Sequence, residues 1–509
     1  MATYLSPGVY IVEEDRGTKP IESVGIAVAA FIGYTAKAEE KLDGGSSVSL
    51  LNKASAIANW SQFVDKYGAF ADGAYLSYAV YGYFQNGGSR CYVVSVKTVG
   101  APEGVVSAVK LLSAGDKPTE VLQIQAKPGV KAAGAKVTVK LDEGQDTFSL
   151  VIQVPSGVEE SFSGLTTGKG DNNVETVVQS KIITVKVLKA WVLPAVGTYE
   201  LTVPAVPVKP VAVADYRGEV AERTGLGGLE ALDEVTMLAV PDLMKSFQVG
   251  EMSLADVQAV QQAIYEHCER TKYCFAILDC PPDLKPQQVR EWRLKANYDT
   301  KYAALYYPWI ESADMVRGKG TVRIPPSGYV AGVYARTDTE RGVHKAPANE
   351  VVRGATGLPV QVTQSEQDSL NPLGINCIRS FPGRGIRIWG ARTLSSDPSW
   401  RHINVRRLFN MVEESIERGT QWVVFEPNDQ GLWARVKRDV TAYLKTVWSS
   451  GALFGATPAE AFYVKCDAEL NPPEVRDLGQ LVIEIGIAPV KPAEFVIFRI
   501  SQWAGPTAA

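Results

Sequence analysis

Apolar positions change their spacing several times along the chain, and each change marks an element. GVYIVEEDR (8–16) alternates apolar and polar for a few positions before Gly17 and Pro20, predicting a short extended segment. SVGIAVAAFIGY (23–34) is a small-residue apolar run of strand type. From Trp60 to Asn86 the period lengthens. Trp60, Phe63, Val64 and Tyr67, then Leu76, Val80, Tyr83 and Phe84, recur at three and four, which is helical. RCYVVSV (90–96) returns to strand.

Beyond residue 100 the pattern becomes a series of short β-type runs separated by turn residues: EVLQIQA, AKVTVKL, FSLVIQV, KIITVKVL and TYELTV. Between about 104 and 214 there is one Trp and no His or Cys, and VPAVPVKPVAVADY (203–216) reads as an exit linker. These residues predict an inserted all-β module. From Val235 onward, apolar strands (235–241, 274–280, 302–310) alternate with helical stretches (254–272, 282–296). Continuous apolar strands between helices imply a sheet covered on both faces. A turn-rich connector (315–374) leads to a strand near 386–391, a helix near 406–418, a strand at 421–426 and a helix at 431–449. AFYVKC, QLVIEIGIA (480–488) and EFVIFRIS (494–501) end the chain as β. The expected fold class is a multidomain α/β (α+β) protein, with a mixed-sheet core, a C-terminal domain and extended arms.

At 509 residues the chain is long enough for three or four domains at about 150 residues each. A net charge of −4 argues against a chain-wide nucleic-acid footprint. No run approaches the roughly 18 apolar residues of a membrane helix, and the first residues lack the basic and apolar regions of a signal peptide. Six cysteines in this length do not make a disulfide scaffold and are expected as reduced, buried thiols.

Catalytic constellations are sparse. His267, His344 and His402 are scattered, and no metalloprotease helix motif or nucleophile elbow accompanies them. GLTTGKG (164–170) departs from a phosphate loop in glycine spacing and in having Gly170 where Ser or Thr would hold magnesium; it reads as a turn. GLGG (225–228) lacks the third glycine of a dinucleotide fingerprint and reads as a helix cap or hinge. Cys268, Cys274 and Cys280 are six apart, too far for the usual zinc pairing, and suit core positions. No cofactor, metal or catalytic residue is therefore expected.

Two basic features remain. Eight arginines and no lysine lie between 379 and 418: Arg379, Arg384, Arg387, Arg392, Arg401, Arg406, Arg407 and Arg418. Pure Arg usage suits bidentate carboxylate pairing, within or between subunits, and phosphate binding is the rival. In the 431–449 helix, Trp433, Val436, Val440, Leu444 and Val447 form one apolar stripe, while Arg435, Arg438 and Lys445 fall on the opposite face. That face is either a solvated surface or a rail for an acidic partner.

Four motifs carry a family resemblance. SPGVYIVEED (6–15), PPSGYVAGVYARTDTERGVHKAPAN (325–349), NPLGINCIRSFPGRGIRIWGARTLSSDPSWRHINVRRLFNMVEESIERGTQWVVFEPND (371–429) and APVKPAEFVIFRISQ (488–502) resemble the contractile tail sheath family. The likeness covers about 1–95 and 215–509. A single continuous chain is similar to the sheaths of phage tails, pyocin-like particles and extracellular contractile injection systems. The resemblance implies a structural subunit, not an enzyme, that stacks as hexameric rings around an inner tube and contracts. Implied partners are its own copies, the tube protein, the baseplate and a terminal cap, with no nucleic acid and no membrane insertion. Assembly is expected in the bacterial cytoplasm, before the subunit becomes part of a tail or tail-like particle.

It also implies arms that lend strands to neighbours: Val9, Tyr10, Ile11 and Val12 at one end, and Phe495, Val496, Ile497 and Phe498 at the other. Arg435, Arg438 and Lys445 become the tube contact. The expected division is an N-terminal arm (1–22), a core (23–103 and 215–370) and an outward-facing insertion (104–214), then a C-terminal domain facing the tube (371–493) and a C-terminal arm (494–509). An α/β enzyme with an accessory β domain, or a tail-tube or baseplate component, are the alternatives.

Overall fold

Apolar runs with no polar face build the centre of the protein, because strands buried on both sides need hydrophobic residues at every position. The computed structural model describes residues 21–499, except 43–45, 100–106, 116, 128–129, 131–133, 143–145, 155–156 and 202–209. Contacts divide the chain into two units, Met1–Val99 with Val211–Ala509, and Gly100–Pro210.

In the first unit, nine strands form one sheet: β1 (Ala29–Thr35), β2 (Ala54–Ile57), β3 (Cys91–Thr98), β4 (Met237–Ala239), β5 (Phe275–Asp279), β6 (Ala303–Tyr307), β7 (Glu350–Val351), β8 (Ile375–Phe381) and β9 (Gly385–Ile388). Their order is β7-β9-β8-β6-β5-β4-β1-β3-β2. The strands from β8 to β3 pair in parallel; β2, β9 and β7 close the edges antiparallel. Alternate residues serve opposite layers. Ala30, Ile32 and Tyr34 of β1 enter one core with Val257, Val260 and Ile264 of α2 (Leu254–Thr271). Ala29 and Phe31 enter the other, with Leu76, Val80 and Tyr83 of α1 (Leu76–Gln85). The covered-sheet expectation holds.

Several boundaries differ. The helical spacing at 60–86 becomes two helices, Trp60–Tyr67 and α1, separated at Gly68, which has φ 79°. The connector expected at 315–374 contains α3 (Ser327–Arg341), whose residues 327–337 are all buried. α3 lies close against α1: a Cβ on Gly328 would stand 2.3 Å from the Ala79 Cα, and one on Gly332 2.5 Å from the Tyr83 carbonyl oxygen. The GLGG segment is a short buried helix (Gly225–Leu229), where a Cβ on Gly227 would meet the Glu219 backbone at 2.7 Å. The sheet itself runs on to Ile388, past the division expected at 370.

Downstream lie α4 (Ile403–Gly419), α5 (Gln430–Ser449) and a two-stranded antiparallel sheet of β10 (Phe462–Lys465) and β11 (Glu484–Ile487). The strand expected at 421–426 is instead a 3-10 turn, Gln421–Val423, followed by Phe425 at φ 68° with its ring fully exposed. The run at 480–488 pairs only over Glu484–Ile487. Cys268, Cys274 and Cys280 pack in the same core as α2, and all six cysteines are buried and free. Burial pushes the Cys268 and Cys280 thiols well up.

The second unit holds a four-stranded antiparallel sheet (159–165, 148–153, 136–141, 197–200) and a three-stranded one (183–187, 120–126, 108–112). Val137, Phe148 and Leu150 of the first share one core with Leu111, Leu122 and Ile124 of the second. GLTTGKG begins with the last two residues of the strand Glu159–Leu165 and bends away beyond it. Among the described residues no helix is long and apolar enough to cross a membrane.

Candidate assembly surfaces

α5 begins at Asp429, whose carboxylate accepts the Leu432 N–H at 2.8 Å, and its apolar stripe then fixes the helix on its own unit. Trp433, Val436, Val440, Leu444 and Val447 are all buried among residues of α4 and β10. Burying each such side chain contributes on the order of 1.5–3 kcal/mol, enough to hold the opposite face outward. On that face Arg435, Arg438 and Lys445 are all exposed. Arg435 pairs with Glu426 at 3.2 Å and lies over the Trp422 ring at 5.5 Å. Arg438 contacts its neighbour Asp439 at 3.0 Å. The structure thus gathers the three basic residues on one exposed face.

The chain's last described stretch divides sharply. The Phe454 N–H reaches the Ala488 carbonyl at 2.8 Å, the Val490 N–H reaches Ala452 at 3.1 Å, and the Asn404 amide reaches the Val490 carbonyl at 3.1 Å. Glu494 is gripped by Arg392, whose Nε lies 3.0 Å from Oε1 and whose terminal nitrogen lies 2.5 Å from Oε2. His402 stands 3.5 Å from the same carboxylate. Burial raises the Glu494 pKa, but Arg392, His402 and Arg401 together hold it below the usual carboxylate range. Burial also lowers His402, against the pull of Glu494. Immediately beyond, Phe495, Val496, Ile497 and Phe498 are 72%, 69%, 80% and 83% exposed. These are four exposed apolar side chains in succession, with no strand partner among the described residues, the kind of patch that marks an interaction surface. Val9, Tyr10, Ile11 and Val12 lie outside the described residues.

Half of the arginine cluster is spent on carboxylates. Besides Arg392, Arg407 forks onto Asp338 at 2.9 and 2.6 Å, Arg406 reaches Glu413 at 2.9 Å and Arg418 reaches Glu414 at 2.6 Å. Arg406 is also enclosed by Tyr302, Trp400 and Phe409 at 4.9, 4.6 and 5.5 Å. Arg379, Arg384 and Arg387 bond Gln364, Gln367 and Asn349 instead, and Arg401 is exposed. Pairing within the chain explains most of the cluster. The Arg392–Glu494 contact escapes sequence reasoning because 102 positions separate the partners.

Comparison with known proteins places the chain among tail sheath proteins. The central domain model of phage tail sheath proteins matches residues 234–394 and the phage tail sheath C-terminal domain matches 395–502, together more than half of the chain. A tail sheath protein of Vibrio phage KVP40 is 30% identical over 177 residues, 34% of this chain and 26% of that protein. A putative prophage major tail sheath protein of Pseudomonas aeruginosa is 29% identical over 297 residues, 55% of this chain and 72% of that protein. The chain thus spans about a quarter of the Vibrio phage relative and most of the Pseudomonas one. Among solved structures, the contracted helical sheath of the anti-feeding prophage is similar with a TM-score of 0.60 and 25% identity, covering 98% of this chain and 100% of that one. The contracted PVC sheath complex of an extracellular contractile injection system gives 0.60 and 26%, covering 99% of both. The chain belongs to the phage tail sheath family, as a structural sheath protein of a contractile, phage tail-like system.

Proposed function

We propose that this subunit polymerises as stacked hexameric rings around an inner tube and drives that tube through a target membrane by collective contraction. The observation that carries the reading is the bare segment Phe495–Phe498, together with a β10–β11 sheet that has two strands among the described residues. Each strand of that sheet has one unpaired edge among the described residues, so the sheet has room for two donated strands. One comes from a neighbour's residues 9–12 and the other from a neighbour's residues 495–498, as in other cases of strand addition. Each donated strand makes a few backbone hydrogen bonds worth about 1 kcal/mol each. A closed mesh holds because several links must break together before a subunit leaves.

Contraction is then a rigid-body rearrangement in which the bodies rotate and slide while the exchanged strands stay paired. The extended state is set by assembly on the tube, and release at the baseplate lets the lattice shorten. α5 faces the tube through Arg435, Arg438 and Lys445. Further partners are the baseplate and a terminal cap; the chain itself consumes no nucleotide. Assembly takes place in the bacterial cytoplasm before the particle is used or released.

Deleting residues 1–16, or 494–509, is expected to leave a folded subunit that no longer forms long cylinders. Wild-type cylinder lengths in electron micrographs after either deletion would rule out strand exchange at that end.

A further inference from the structure

We infer that the Arg392–Glu494 ion pair is the fixed point from which the C-terminal arm leaves its own subunit, setting how much free chain spans to the neighbour. The inference rests on the strand-exchange reading above and concerns what limits the arm's reach. Three observations converge on it. The first is where burial ends: Pro492 and Glu494 are half-buried between exposed Lys491 and Ala493, the Glu494 side chain being 18% exposed, whereas every residue from Phe495, 72% exposed, to Phe498 is exposed. The second is that backbone hydrogen bonds cease after Val490 among the described residues, and none holds the main chain of 491–494. Within that stretch the Glu494 carboxylate makes the hydrogen bonds to the subunit body, beside a half-buried Pro492.

The third is the rigidity of the other partner. Arg392 donates its own N–H to the Asn376 side-chain oxygen at 2.7 Å, and the Asn376 amide returns a bond to the Arg392 carbonyl at 2.8 Å. Asn376 belongs to β8 and is fully buried. The Arg392 guanidinium also reaches the Asn371 carbonyl at 3.2 Å. Tension on the arm therefore passes from Glu494 through Arg392 into the central sheet, bypassing residues 491–493. The contact is bidentate and largely shielded from water, which gives it a fixed direction as well as strength. Breaking it would free four more residues, adding up to about 13 Å of slack at about 3.3 Å each. A mesh whose links differ in length no longer fixes one spacing between subunits. Arg392 and Glu494 are positioning residues in this account; they touch the arm's root and not its paired strand.

The test compares E494Q, R392M, their double variant and a deletion of 495–509 that keeps the pair. Each is expressed as the full chain otherwise. Thermal midpoints report folding, amide exchange at Val490 reports the arm's root, and cylinder length and ring spacing are read by electron microscopy. In both single variants the subunit is expected to fold, Val490 to exchange at least tenfold faster and mean cylinder length to fall at least twofold with a broadened ring spacing. The double variant should be no worse than either single one, because one contact is lost in all three. Wild-type lengths and spacing in E494Q and R392M, with assembly lost in the 495–509 deletion, would overturn the fixed point while leaving strand exchange standing. Wild-type cylinders from the 495–509 deletion would overturn strand exchange itself, and this inference with it. A double variant with additive losses would show the two residues acting separately, which also overturns it.

Discussion

Asp279 lies wholly buried at the end of β5, its carboxylate accepting the Ser327 N–H at 2.9 Å and the Ser327 hydroxyl at 2.6 Å. Burial pushes its pKa up to about 7, against the pull of those two bonds. An unfolded Asp titrates near 3.9. Between about pH 4 and 7 the folded chain therefore keeps a proton that the unfolded chain has lost, so this residue's contribution to stability falls as pH rises through that window. Asp242, also pushed up to about 7 by burial, acts in the same direction. Asn at 279 can accept the Ser327 N–H and donate to its hydroxyl without titrating. Between pH 5 and 7 the D279N subunit, in the form lacking 494–509, is expected to lose less thermal stability than its parent. Equal slopes in the two melting series would contradict the assignment. None of this was legible in the sequence, because the Asp279–Ser327 pairing spans 48 positions and one aspartate looks like another.

Elements were legible where one face is apolar and the other is not. The α5 stripe repeats at helical spacing, and the structure buries every residue of it. α3 escaped notice for the opposite reason: it is buried all round, so SGYVAGVYAR shows no polar face, and its glycines serve packing against α1. At 421–426 the apolar run in QWVVFE reads as a strand, yet the chain turns there and leaves Val424 64% exposed beside Phe425. The exposed face of α5 makes a direct prediction. Each of Arg435, Arg438 and Lys445 would give an exposed contact of about 0.2–1 kcal/mol to an acidic tube, weak singly and large over many rings. Reversing all three to Glu should abolish extended sheaths on co-expressed tubes and baseplates while sparing tube-free cylinders. Normal extended particles in micrographs of that variant would make this face an ordinary solvated surface.

For the whole molecule, alternating apolar strands and helices announced the covered sheet, and turn-separated β runs announced the compositional shift beyond residue 100. Sheet closure was not legible, since β8 joins β6 across 70 positions and no local pattern encodes that meeting. The end segments stood out because they are strand-like yet too short to be stable alone. The central claim is that these ends complete a neighbour's sheet and turn a soluble subunit into a cylinder. Electron microscopy of the chain expressed and purified alone tests it most directly. The account predicts long hollow cylinders of stacked six-fold rings; a uniform population of dispersed monomers at the same concentration would contradict it.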